Sequence, residues 1–77
     1  MSERRVERVY VKLGKHIAKR RIELGMSQED LANKIRMSRP AVINMEAGRQ
    51  RIMLHRVFII EKALGYPPGY MIAKGVR

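Results

Sequence analysis

The chain has 77 residues, with 17 lysines and arginines against 7 aspartates and glutamates, a net charge of +10 and a pI near 11.0. We expect one domain, since this length leaves no room for a second, ligand-sensing domain. The absence of cysteine excludes a disulfide scaffold, a thiolate zinc site and cysteine catalysis. No apolar run approaches the roughly 18–20 residues that span a bilayer. We therefore expect an intracellular protein whose partner is a polyanion, with nucleic acid first and an anionic membrane surface second.

Apolar residues recur at helical spacing, and no segment alternates in the manner of a strand. A first helix is predicted from five apolar residues, after which Gly25 supplies a left-handed C-cap. These five are Val6, Val9, Leu13, Ile17 and Leu24.

Two short helices follow in close succession. Ser27 and Asp30 form a capping-box pattern that predicts a helix over about 28–35. A third helix is predicted to run to about Glu46. Its N-cap is either Ser38 or Arg39, because the proline at position 40 favours the first helical position and restricts the residue before it.

The remainder of the chain predicts a fourth helix and a short fifth one. The fourth is marked by Leu54, Val57, Ile60 and Leu64 and ends at Gly65. After two prolines, residues 70–72 are expected to form a final short turn. The predicted fold class is all-α, a compact bundle of five helices.

Only Arg36 and Met37 separate the second helix from the third. A turn this short is typical of a helix-turn-helix, which exposes the start of its second helix to the major groove of DNA. Polar residues fall on that exposed part, and no acidic residue lies among them. The pattern therefore indicates DNA binding.

Four segments carry a resemblance to a known family. They are Leu-Gly-x-x-Ile-x-x-x-Arg at 13–21, Gly-Met-Ser-Gln-Glu-Asp-Leu-Ala at 25–32, Met-Ser-Arg-Pro-Ala-Val-Ile-Asn-Met-Glu-Ala-Gly at 37–48, and Leu-x-x-Val-x-x-Ile-x-x-Ala-Leu at 54–64. Over roughly residues 13–72 the chain resembles the phage repressor and Cro (XRE) helix-turn-helix family. The resemblance implies a repressor-like bundle and a cytoplasmic, bacterial or phage-encoded regulator. Such a regulator would bind double-stranded DNA as a homodimer. The sequence itself has no catalytic constellation, and His16 and His55 lie far apart without nearby carboxylate partners, so we expect no enzyme activity, cofactor or metal.

The resemblance also implies roles for individual residues. Arg39 would read guanine and Asn44 adenine, each through two hydrogen bonds. Ile43 would either contact a thymine methyl group or pack inward. The base-contacting set is Ser38, Arg39, Pro40, Ile43 and Asn44. The phosphate-contacting set is Ser27, Gln28, Arg36, Arg49, Gln50 and Arg51.

Arg21 and Glu46 match a buried ion pair of the family that ties the first helix to the third. Without the resemblance, both would be taken for ordinary surface charges. Three departures from the family pattern stand out. Arg36 replaces a turn glycine, which costs roughly 1 kcal/mol if the backbone is left-handed there. Residues 52–53 leave the fourth helix without a side-chain cap, and Glu61 stands where a small apolar residue is usual.

The chain is divided into a basic extension (1–11), the helix-turn-helix domain (12–73) and a basic tail (74–77). The extension either starts the first helix, with Ser2 as a possible cap, or lies along DNA as a mobile arm. In the fourth helix, apolar residues cover more faces than one core requires, although core packing explains Phe58 equally well. The candidates for a dimer interface are Phe58, Ile59, Tyr66, Pro67 and Tyr70.

Two further functions stay open. The same helices would serve a DNA-binding antitoxin that also holds a toxin or another regulatory protein. Alternatively, a non-specific nucleic-acid-binding protein would use the positive charge alone, without base contacts.

Overall fold

The computed structural model describes residues 3–74, with side chains from residue 7 onward. It contains five α-helices, and residues 3–74 include no strand, which confirms the all-α bundle. The helices are α1 (Glu3–Glu23), α2 (Gln28–Ile35), α3 (Arg39–Glu46), α4 (Leu54–Ala63) and α5 (Tyr70–Lys74). No helix within residues 3–74 is long and apolar enough to cross a membrane.

The core is apolar and draws on every helix. Leu13 and Ile17 are buried as predicted, whereas two other residues of the predicted stripe, Val9 and Leu24, are not. Val9 is 38% exposed, and Leu24 lies beyond the helix and is 42% exposed. Leu24 is exposed because α1 ends at Glu23, and Val9 lines an open apolar groove beside Leu54 and Ile72. Val6 (its side chain) and Ser2 lie outside the described residues. The core residues are Leu13, Ile17, Leu31, Ala32, Ile35, Val42, Met45, Ile52, Val57, Ile60, Leu64 and Met71.

Side chains cap α2 and α3. The Ser27 hydroxyl accepts a hydrogen bond from the Asp30 N–H at 2.9 Å, and the Asp30 carboxylate accepts one from the Ser27 N–H at 2.8 Å. This confirms the capping box. Ser38 is the N-cap of α3, and its hydroxyl accepts from the Ala41 N–H at 3.2 Å. The alternative N-cap at Arg39 is wrong. A proline also fits the second helical position, because the N–H groups of the first turn have no carbonyl partner within the helix, so none is lost there.

Glycine lets α1 lie directly against the C-terminal end of α3. An added Cβ at Gly14 would overlap the Met45 carbonyl oxygen and lie 2.7 Å from that of Glu46. Gly48, with φ +73°, faces α1 in return, and a Cβ there would lie 2.6 Å from the Cα of Val11. No side chain fits at either position without a shift of the backbone. The two helices are therefore locked in one relative placement.

Glu61 departs from the family pattern and is completely buried. Its carboxylate accepts hydrogen bonds from the backbone N–H groups of Gly69 at 2.9 Å and Met71 at 2.8 Å. The packing problem expected at this position therefore does not arise, because the carboxylate fastens the start of α5 to α4. As predicted, α4 has no side-chain cap, since its N-cap residue is Met53.

At the N-terminus, α1 begins at Glu3, so residues 3–11 continue the helix and do not form an arm. At the other end, Lys74, the first residue of the predicted tail, is the last residue of α5. The rest of that tail (75–77) lies outside the described residues.

The capping box predicts a pH dependence of folding. Hydrogen bonds from the Ser27 backbone and hydroxyl groups lower the pKa of Asp30 from its ordinary value of 3.8. A carboxyl group with a lowered pKa in the folded state stabilises the fold above its unfolded pKa, and loses this effect as the pH falls through the folded value. We expect thermal unfolding curves of the parent and Asp30→Asn to differ near neutral pH and to converge in acid. Glu29→Gln removes a carboxylate from the same turn outside the box, and an equal effect of both substitutions would contradict the prediction.

Candidate nucleic-acid interface

The exposed start of α3 displays the residues predicted to contact bases. Ser38, Arg39 and Pro40 are exposed, whereas Ile43 and Asn44 are half-buried. Val42 and Met45 are buried and hold the opposite side of the helix against the core. We call the five outward residues the reading surface: Ser38, Arg39, Pro40, Ile43 and Asn44.

The electrostatics of this region favour an anion. The first turn of α3 has no acidic residue, so the positive end of its dipole is not offset there. A cleft of about 380 Å³ separates the starts of α2 and α3. Its lining consists of Arg21, Ser27, Gln28, Glu29 and Arg39. Of its charged groups, Arg39 is exposed at the start of α3, whereas Arg21 is already paired with Glu46 and Glu29 adds a carboxylate on the α2 side. The α3 side of the cleft therefore suits a phosphate better than the α2 side.

Arg21 and Glu46 form a two-point ion pair behind this cleft. The Nε and Nη2 of Arg21 donate to the Glu46 carboxylate at 2.6 and 3.0 Å. The third nitrogen, Nη1, donates to the Met26 carbonyl at 2.8 Å, and Gln28 Nε2 donates to the same Glu46 carboxylate at 3.1 Å. The carboxylate of α3 is therefore held from α1 and α2 at once. Gln28 is braced inward here, although it also lines the cleft.

Arg36 lies in the turn between α2 and α3 with φ 56° and ψ 46°. It is the only residue other than glycine with positive φ among residues 3–74. The left-handed backbone that the sequence suggested is therefore present, with its strain. Its side chain is exposed, as a phosphate contact would require.

Beyond α3, the loop carries Arg49, Gln50 and Arg51, all of them exposed. Arg49 Nη1 donates to Asn44 Oδ1 at 3.4 Å, a long hydrogen bond that joins a predicted phosphate contact to a predicted base reader. Arg56 was not among the predicted site residues. It borders a depression of about 170 Å³ together with Gln50 and Arg51. Its position in the first turn of α4, directly after this loop, is the signal that could have found it.

The predicted dimer candidates fall into two groups. Phe58 and Ile59 are 39% and 41% exposed, so packing in the core does not explain Phe58. Tyr66 is half-buried against α1 of its own chain, and Tyr70 stacks on it with ring centroids 4.3 Å apart. Pro67 is exposed beside them.

Comparison with known proteins agrees with this architecture. A family model described as helix-turn-helix matches residues 17–71, which include α2, the turn and the reading surface. The chain belongs to the XRE-type helix-turn-helix family of DNA-binding transcriptional regulators.

One relative adds to this. Over 70 residues, the chain is 34% identical to a protein of Rhodospirillum rubrum named "Uncharacterized transcriptional regulator in ATPase CF(0) region". The alignment covers 91% of this chain and 65% of the relative, so the chain spans less than two thirds of the relative's length. No solved structure gave a significant match.

Arg36 combines a strained backbone with a cation in the turn, and replacing it with glycine should separate the two effects. Glycine adopts the left-handed conformation without strain, so we expect the free energy of unfolding to rise by about 1 kcal/mol. The lost cation should weaken binding to any duplex and lower the salt slope by about 0.9. Denaturant unfolding and gel shifts at several salt concentrations measure both effects. Arg36→Asn, which tolerates this backbone but also lacks the charge, is the control. A glycine variant less stable than the parent would contradict the strain.

Proposed function

We propose that this chain is a sequence-specific transcriptional regulator of repressor/Cro type that binds a two-fold symmetric operator as a homodimer. The start of α3 lies in the major groove, and the two half-sites are about 34–36 Å apart, one turn of DNA. The observation that carries the proposal is the reading surface, which faces solvent at a helix end with no acidic residue in its first turn.

Base recognition rests on two side chains. Arg39, exposed at the first position of α3, donates two hydrogen bonds to guanine. Asn44 pairs with adenine, which requires both its amide oxygen and its amide nitrogen. Arg49 donates to that oxygen at 3.4 Å, a long contact that favours this orientation of the Asn44 amide over the flipped one. Ser38 and Pro40 fill the space between these contacts, and Ile43 meets a thymine methyl group.

Phosphates are held on both sides of α3. On one side, Ser27 and Gln28 line the cleft at the start of α2. On the other side, Arg49, Gln50 and Arg51 form an exposed loop. Arg36 adds a cation in the turn. These contacts fix the position of α3 in the groove but do not discriminate between sequences.

The dimer interface is supported by an apolar groove of about 260 Å³ between α1, α4 and α5. Leu54 is 57% exposed at its edge, and Phe58 lies one helical turn further along α4. A second copy suits this groove because its lining carries no charge, so two identical surfaces meet without repulsion. The groove is lined by Val9, Tyr10, Leu13, Ile52, Leu54, Val57 and Ile72.

Tyr66 and Tyr70 are less suited to this interface, although the sequence placed them there. They line a surface shared with three lysines of α1. In a two-fold interface the same patch meets itself, so these lysines would face one another. Ile59 is five residues from Leu54 and one from Phe58, whereas neighbours on one side of a helix are three or four residues apart. Ile59 therefore lies on another side of α4. We therefore assign the interface to the apolar groove and Phe58.

Substitutions on α3 and in the loop should have different effects. Arg39→Ala or Asn44→Ala should weaken binding to the operator by about 1–3 kcal/mol and leave binding to random duplex nearly unchanged. Arg51→Ala should weaken binding to every duplex and lower the salt slope by about 0.9. The operator is first selected from a random DNA pool, and affinities are then measured by gel shift with Lys62→Ala as the control. If Arg39→Ala and Lys62→Ala behave alike on both duplexes, the protein binds by charge alone.

A charge in the apolar groove should separate the two copies. Leu54→Glu leaves the folded monomer intact, because the side chain is more than half exposed, but buries an unpaired carboxylate in the dimer. We expect sedimentation to show at least about a tenfold rise in the dimer dissociation constant, with loss of operator affinity. Ile22→Glu, which places the same charge on another exposed apolar side chain, should leave both unchanged. A parent protein that is monomeric both free and on DNA would exclude the symmetric-operator proposal.

A further inference from the structure

A second basic surface lies on α1, away from the reading surface. Lys12, Lys15 and Lys19 are exposed and share one side of the helix, since residues three, four and seven apart are neighbours. Gly14 and Arg21 face α3. They are seven residues apart, as Lys12 and Lys19 are, and each lies two residues after the corresponding lysine. Two residues correspond to about 200° around a helix, so the lysines point away from α3.

These lysines line a groove whose other wall is aromatic. The groove has a volume of about 480 Å³ and runs between α1 and the segment that leads into α5. We call it the tyrosine groove, and its lining is Lys12, Lys15, His16, Lys19, Glu23, Tyr66 and Tyr70. Glu23 contributes the one carboxylate of this lining, against three lysines.

The aromatic wall is held in place from several sides. The guanidinium group of Arg20 lies 4.9 Å from the centre of the Tyr66 ring, while its Nε donates to the Leu64 carbonyl at 3.1 Å. The Tyr66 hydroxyl is 3.2 Å from His16 Nε2, and burial raises the pKa of that phenol, so it stays protonated. Tyr70 stacks on Tyr66 and is 37% exposed. Tyr66 is thus fixed, and Tyr70, stacked on it, presents an accessible ring beside the row of lysines.

The row of cations is longer than a small anion requires. From Lys12 to Lys19 the helix rises about 10 Å, at 1.5 Å per residue. The exposed Arg8 lies one turn before Lys12 and extends the row to about 16 Å. This length suits several consecutive phosphates of one strand. An exposed aromatic ring next to such a row is the combination by which proteins bind unpaired bases, because every base can stack on it.

We propose that the tyrosine groove binds single-stranded nucleic acid, DNA or RNA, with phosphates on the lysines and a base stacked on Tyr70. A duplex keeps its bases paired and offers none to the ring, whereas an acidic polypeptide would use the lysines alone. The site is separate from the reading surface, so one chain holds a duplex and a single strand at the same time.

The first test uses labelled oligonucleotides of about 12 thymidines or uridines, within the range of known single-strand site sizes. Fluorescence anisotropy gives the affinity, and the protein's own emission gives the stacking, because its three tyrosines are not masked by any tryptophan. Binding should quench this emission. Tyr70→Leu, which keeps an apolar contact with Tyr66, should weaken binding about five- to 100-fold and reduce the quenching, and Tyr70→Phe should retain the affinity. Equal affinity of Tyr70→Leu and the parent would overturn the proposal.

The lysines are tested with a matched pair of charge reversals. Lys15→Glu with Lys19→Glu should weaken binding to the oligonucleotide at least about tenfold and lower its salt slope by about 1.4, at 0.7 per phosphate. Lys34→Glu with Lys62→Glu changes the net charge equally at exposed positions outside the groove, and should have the smaller effect. Equal effects of the two double variants would show attraction by net charge only and overturn the proposal.

Two competitors test whether the strand lies in the tyrosine groove or on the reading surface, and whether the ligand of the groove is a nucleic acid or an acidic protein. Saturating operator duplex should leave the oligonucleotide bound, giving a ternary complex, whereas displacement by the duplex would place the strand on the reading surface and overturn the proposal. Polyglutamate should compete weakly. If it competes as well as the oligonucleotide and is insensitive to Tyr70→Leu, the groove is a site for an acidic protein and the proposal is wrong. A preference between the thymidine and uridine strands identifies the natural source, DNA or RNA.

Discussion

The structure depends on the close contact between α1 and the C-terminal end of α3. Gly14 and Gly48 allow the two backbones to approach to a distance that any side chain would prevent. Because α3 also carries the reading surface, this contact fixes the direction of α3 at the end opposite to the one that we propose meets DNA. A helix of only 8 residues held so firmly at one end has little freedom at the other.

The polar cluster around Glu46 completes this constraint. Its carboxylate receives hydrogen bonds from Arg21 on α1 and from Gln28 on α2, so three helices meet at two oxygen atoms. The side chains of Arg21 and Glu46 are 12% and 7% exposed, and removing them from water offsets much of their attraction. Their main effect is therefore geometric. An apolar pair of the same size would pack as well, but it would not fix the rotation of α3, since apolar contacts have no preferred direction.

Local patterns in the sequence were sufficient for the five helices and for the capping box at Ser27. They left the cap of α3 open between Ser38 and Arg39, and the left-handed backbone at Arg36 was suggested only by the glycine that the family usually has there. Contacts between distant segments were not accessible in the same way. A glycine at position 14 does not reveal which backbone it meets, and the partners of Glu61 lie 8 and 10 residues away in a segment without a clear pattern.

The same limit applies to the tyrosines. Tyr66 and Tyr70 look like spare apolar surface in the sequence, because the arginine and histidine that hold Tyr66 come 46 and 50 residues earlier, on α1. Only the fold brings them together. The candidate site was predictable where it consists of one continuous helix and its turn. It was not predictable where it needs a second element, as with Arg56 or the contact between Arg49 and Asn44.

The surface is strongly positive, as the net charge of +10 indicates. Three of the seven acidic residues are already committed, since Glu46 faces Arg21, Glu61 is buried on backbone N–H groups and Asp30 offsets a helix end. Of the cations, Arg21 is neutralised inside with Glu46. The folded chain therefore carries many cations on different faces with few anions among them, and their repulsion opposes compact packing. A bound polyanion removes this repulsion wherever it lies. A chain with cations on two faces gains most when both are covered, which is why the charge on α1 has a physical consequence even though the reading surface does not use it.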